Sequence, residues 1–200
     1  MQLERHTWRL ENRLDALTGS LKPFEGKSLS AGDTFVVERI IIQMQIEWEH
    51  FVRALILDSA TGRHSTRSGP VASTLPVKIR NREHAGHVLI AQYKKRTNEP
   101  DWYLPDDAIA AAGKLSLTNE KKIAAELGVT PWGLSDLRHL RNFISHRSGR
   151  SAINLRNATA VAKADPIIPT ALCYEYALGG MRRYESWAGF MKGVAKRLVD

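Results

Sequence analysis

The chain has 200 residues, 43% apolar and 25% charged, a balance that predicts a soluble globular domain able to bury a core. Its one cysteine, Cys173, excludes an intrachain disulfide and any zinc site built from several cysteines. Net charge is +8, and residues 61–100 alone carry 8 basic against 2 acidic side chains; such a patch predicts a polyanionic partner, nucleic acid before a membrane surface.

In chain order, the opening MQLERHTWRL is charged within its first few residues and predicts no signal peptide. Nowhere do about 18 apolar residues run together, so no membrane contact is expected and a reducing cytoplasm fits best. Residues 2–18 place Leu3, Trp8, Leu10, Leu14 and Leu17 broadly on one helical face, with Gly19 as a stop. Residues 34–58 predict the longest helix, capped by Asp33, closed at Thr61-Gly62 and apolar enough to pack on several sides. Residues 61–80 mix Gly, Ser, Thr and Pro with basic side chains and read as an exposed loop. A helix follows over 82–95, then a break from Pro100 to Pro105, a short Ala-rich helix from Asp106 or Asp107, and another from Asn119 to Gly128. Thr130-Pro131 opens a helix that reaches about His146. Pro166 and Pro169 mark a loop, and residues 171–198 predict the last helix. The whole reads as one all-α domain, residues 1–200, without repeats or heptads.

Chemistry concentrates in residues 134–150, LSDLRHLRNFISHRSGR. At about 100° per residue, Leu137, Leu140, Phe143 and Ile144 share one side of a helix. Arg138, Arg141, Asn142, Ser145, His146 and Gly149 share the other. Asn142 and His146 are i,i+4 neighbours, whereas Arg141 and His146 border one strip about 140° apart. Arg, Asn and His gathered on one face suit phosphate chemistry.

Arg141-Asn142-x-x-x-His146 resembles the R-x(4–6)-H signature of the HEPN superfamily, including the polar residue after the arginine. The long helix containing EWEHFVRALIL and the hairpin leading into the motif resemble RiboL-PSP-type members over most of residues 30–148. The resemblance implies a HEPN-like helical bundle, usually dimeric, and a metal-independent endoribonuclease of toxin–antitoxin or phage-defence systems. It also implies a possible antitoxin or regulatory partner, and some relatives bind RNA or nucleotides without cutting.

The residue types fit that chemistry. The 2′-OH attacks its own phosphodiester, leaving a 2′,3′-cyclic phosphate and a 5′-OH. Histidine, which as a residue type titrates near neutral pH, makes His146 the general base or acid. Arg141 would neutralise the phosphorane, and Asn142 would fix the imidazole or a phosphate oxygen. Arg138, Arg147 and Arg150 would track the backbone, joined by Lys94, Lys95 and Arg96 from the basic stretch. No metal or cofactor is expected. Because the motif holds one histidine, two chains in an isologous homodimer would complete the acid–base pair.

Rival readings exist. Residues 123–137, IAAELGVTPWGLSDL, fit a helix-turn-helix that would place Thr130 to Arg138 in a DNA major groove, although Pro131, Trp132 and Gly133 suit that role badly. Arg82 and His87 repeat the Arg-to-His spacing without the apolar stripe, and Gly86 interrupts them. His84 and His87 form a metal-ligand pair with no third member. Trp8, Trp48, Trp132 and Trp187 are assigned to the core rather than to base stacking.

Overall fold

Ser30 and Asp33 open the longest helix by satisfying one another. The Ser30 hydroxyl accepts from the Asp33 N–H at 3.1 Å, and the Asp33 carboxylate accepts from the Ser30 N–H at 3.1 Å. This reciprocal box makes Ser30 the cap and Asp33 its partner three residues on, in place of the expected Asp33 cap. Helix α2 accordingly runs Ala31–Ser59. It follows α1 (Glu4–Leu21), which continues through Gly19 into a 3-10 turn, Lys22–Phe24, before Gly26 reverses the chain at φ 67°.

The computed structural model describes residues 2–93, 95, 97–129, 132–159, 165–177 and 179–200. Helix dominates: nine α-helices and one two-stranded hairpin lie among the described residues, an all-α fold. No helix there is long and apolar enough to cross a membrane. The chain divides into two compact units, Met1–Glu11 with Trp48–Trp132 and Lys192–Asp200, and Asn12–Glu47 with Gly133–Met191.

In the first unit, Trp48, Phe51, Leu55, Leu89, Ile123 and Leu198 are among the buried apolar side chains. Strands β1 (His64–Thr66) and β2 (Gly69–Val71) pair antiparallel. The expected exposed loop at 61–80 is therefore stitched in. The Leu3 N–H donates to the Ser65 carbonyl at 3.0 Å, the Thr74 N–H donates to that of Ser116 at 3.0 Å, and Thr66, Val71 and Ile79 are buried. Beyond lie α3 (Arg82–Ala91), α4 (Pro105–Lys114) and α5 (Glu120–Leu127). Asn119 and Gly128 flank α5 as expected, whereas Pro105, read as the end of a break before a helix from Asp106 or Asp107, is itself the first residue of α4, where its missing N–H costs nothing. Trp8 departs from them. It is 66% exposed, because the buried face of α1 at this level is made by Leu3, His6, Thr7 and Leu10.

In the second unit, α6 (Ser135–His146) packs on α7 (Gly149–Thr159). The expected single helix over 171–198 is two, α8 (Pro169–Tyr174) and α9 (Arg183–Val199). Gly179 and Gly180, at φ 89° and 78°, turn the chain between them, a conformation that glycine adopts without a side-chain clash. The turn is held by the Ala177 N–H donating to the Met181 carbonyl at 2.7 Å.

Candidate functional site

Helix α6 carries the motif, and three contacts within its unit aim it. At its start, Asp136 accepts from the Trp187 indole N–H and the Leu137 N–H, both at 2.9 Å, and from Arg183 at 3.0 Å. Gly133, just before it, lies against the Phe190 ring, where a Cβ would fall 2.5 Å from Cδ2. At its end, Arg147 adopts the left-handed conformation (φ 43°) while its guanidinium meets the buried Glu38 carboxylate at 2.6 Å. Sequence reasoning singled out neither Asp136, Glu38 nor Arg183; an acidic residue in the first turn of the motif helix was the available signal.

The stripe divides only in part. Leu137 and Leu140 are buried and Phe143 and Ile144 half-buried. Arg138, Arg141 and Asn142 are half-buried, and Ser145 and His146 exposed. The strip is shorter than expected, however: α6 ends at His146, and Gly149 begins α7. Ser148 explains the break, since its hydroxyl accepts from the Ser151 N–H at 3.2 Å and starts a new helix.

Arg141 Nη1 donates to Asn142 Oδ1 at 3.1 Å, while its Nε–H is enclosed without a partner. Asn142 thus holds the arginine, where the sequence had assigned it to the imidazole or a phosphate. Arg138 Nη2 lies 3.1 Å from His139 Nε2. His139, a half-buried imidazole that the sequence reading did not select, has its pKa lowered by burial and then by Arg138. Because a guanidinium only donates, His139 Nε2 is the acceptor in this contact.

The backbone-tracking residues fare unevenly. Arg147 is engaged by Glu38 and also lies over the Phe143 ring, 5.7 Å from its centroid. Arg150 is exposed in the first turn of α7, not on α6. Lys95 is exposed between α3 and α4; Lys94 and Arg96 lie outside the described residues.

The competing Arg82 has a structural occupation. Its Nε and Nη2 grip Asp58 at 2.9 and 2.6 Å, and His6 Nε2 reaches the same buried carboxylate at 2.8 Å. Burial alone would raise the Asp58 pKa, but His6 and Arg82 outweigh it and hold the group well below the usual carboxylate range. His64 joins from β1, its Nδ1 3.2 Å from the Thr61 hydroxyl and 3.1 Å from the Asp58 carbonyl. His84 and His87 line a cavity of about 310 Å³ with Arg80, Asn81 and Glu83. Among the described residues, no group of three His, Cys, Asp or Glu side chains is placed to hold a metal.

The helix-turn-helix reading fits poorly. Residues 128–134 separate α5 from α6, roughly twice the three-to-four-residue turn of that motif, and the two helices fall in different compact units. Thr130 and Pro131 lie outside the described residues. Comparison with protein families, curated proteins and solved structures finds no match, so the site is read from its own residues.

Proposed function

We propose that this chain is a HEPN-type endoribonuclease that cuts RNA by 2′-OH transesterification without a metal, as a cytoplasmic toxin or defence effector. Arg141 carries the reading. It is half-buried, and no carboxylate pairs with it among the described residues, whereas Arg82 and Arg147 are each engaged by one and Arg183 by two. A half-buried guanidinium without a counter-ion is a ready partner for a phosphate.

His146 stands five residues on, a rise of about 7.5 Å along the same helix, with its imidazole exposed. In the proposed reaction the 2′ oxygen bonds to phosphorus as its proton passes to an imidazole. The phosphorus–O5′ bond breaks, and O5′ takes a proton from a second imidazole, His146 of a second copy in a homodimer. Arg141 neutralises the charge that builds on the phosphorane, and Asn142 positions Arg141. DNA, lacking the nucleophile, survives. RNA is the substrate, and a regulatory protein such as an antitoxin is the expected partner.

The test is incubation of purified protein with total RNA in EDTA, followed by end-group analysis. Products with 2′,3′-cyclic phosphate and 5′-OH ends are expected. Strict Mg²⁺ dependence with 5′-phosphate ends would overturn the mechanism, and binding without cutting would leave an RNA-binding domain. Mixed dimers carrying His146→Ala in one chain should lose activity if the site is shared; full activity would refute the sharing.

A further inference from the structure

We propose that Trp8, flanked by Arg5 and Arg9, is a stacking platform for single-stranded nucleic acid on α1. Trp8 is 66% exposed although it belongs to a helix whose other face is buried. Arg5 and Arg9 are exposed beside it, within an arc of about 100° on the helix. Among the described residues neither arginine has a carboxylate partner. An exposed aromatic beside two unpaired cations provides the two elements of sequence-tolerant strand binding, a π-face for a base and charge for its phosphates.

On the other side of the indole is a cavity of about 240 Å³, lined also by Thr7, Arg67 and Lys196. It lies below the roughly 300 Å³ floor of drug-sized sites, and so suits one planar ring rather than a whole nucleotide. Its carboxylates are already engaged: Glu4 and Asp200 by Arg67 at 2.6 and 3.1 Å, Glu11 by Lys196 at 3.0 Å. The cavity therefore offers a polar wall with its charges paired, while the unpaired charge for phosphates is on Arg5 and Arg9.

Duplex nucleic acid keeps its base faces stacked and cannot use the indole. A bilayer would need an apolar helix face, but Leu10 of α1 and Leu3 just before it are buried in the protein. The single strand is the occupant that uses both the ring and the two arginines. This inference does not depend on cleavage.

The test uses the full chain and a fluorescein-labelled oligothymidylate of about 12 nucleotides, which cannot be cut by 2′-OH attack. Trp8→Ala should weaken binding about tenfold or more, while Trp8→Phe keeps most of the affinity and shows that the fold is intact. Arg5→Gln with Arg9→Gln should lower the slope of log affinity against log salt by about 1.4. Because the oligothymidylate has no 2′-OH, its binding is read whether or not the chain cuts RNA, so failure here and failure of the nuclease reading are separable. Wild-type affinity and salt slope in all three α1 variants would overturn the proposal. So would a preference for duplex DNA, or loss of binding only to phosphatidylserine vesicles.

Discussion

Arg141→Ala and His146→Ala should separate activity from folding, and the structure sets both scales. His146 is exposed at the last turn of α6, so its truncation removes no buried contact and should cost under about 1 kcal/mol. Arg141→Ala gives up one hydrogen bond, to Asn142, worth about 0.5–1.5 kcal/mol net, together with part of a half-buried stem. Against these, losing a general acid or base typically costs about 10²–10⁴ in rate, and losing a donor to a developing oxyanion about 10²–10³. The rate losses correspond to roughly 3–5 kcal/mol on the barrier, well beyond the stability changes. Arg141→Lys should fall nearly as far, because an ammonium keeps the charge without the planar fork. Asn142→Ala should do less, since it loosens Arg141 without removing it. Initial rates on a single-stranded RNA oligonucleotide, read beside circular-dichroism melts of the same preparations, provide the comparison. A folded Arg141→Ala or His146→Ala protein cutting at more than about a tenth of the wild-type rate would refute the assignment.

Gly133→Ala should cost about 1–3 kcal/mol and lower Tm by several degrees, because the new methyl would press on the rigid Phe190 ring; an unchanged melt would show that α6 is not held there. Burial, opposed in part by Asp58, lowers the pKa of His64, so the unfolded chain binds its proton at higher pH than the native one. His64 therefore favours folding above about pH 6.5 and loses that contribution as the pH falls below it, while Asp58 gives way only in stronger acid. Urea unfolding at pH 7.5 and 5.5 should show a smaller acid loss in His64→Gln than in wild type; equal losses would sink this account. Neutralising Lys94, Lys95 and Arg96 together should flatten the salt dependence of RNA binding, and an unaltered slope would leave that segment without a role in it.

Legibility followed how local each determinant was. Asn119 and Gly128 are read within one turn of chain, and their helix appears where those residues indicate; α4 starts at Pro105, just ahead of the Asp106 or Asp107 expected to open it. The apolar stripe of α6 likewise needs only its own period. Gly179-Gly180 was also local, but an apolar pattern continuing on both sides concealed the break. Asp33 was placed on the right turn but given Ser30's role. What aims the motif helix was not legible, because Asp136 meets Arg183 and Trp187, and Arg147 meets Glu38, across long stretches of sequence. Trp8 shows the same limit: its position fits the apolar face of α1 loosely, and only the packing of Leu3 and Leu10 leaves it outside.

Charge summed over a window misleads for the same reason. Residues 61–100 total +6, yet within them Arg67 is engaged by Glu4 and Asp200, and Arg82 by Asp58. Residues 1–60 total −2, yet they expose Arg5 and Arg9 without partners among the described residues. A polyanion responds to the charge left after pairing, so two substitutions that each remove one positive charge should act differently. Arg9→Gln removes an unpaired cation and should lower the salt slope for single strands by about 0.7. Arg67→Gln removes a cation already engaged by Glu4 and Asp200 and should change that slope much less. Salt titrations of the two variants on one oligonucleotide decide between the views. Equal slope changes would mean that the window total, and not the pairing, describes the surface the nucleic acid meets.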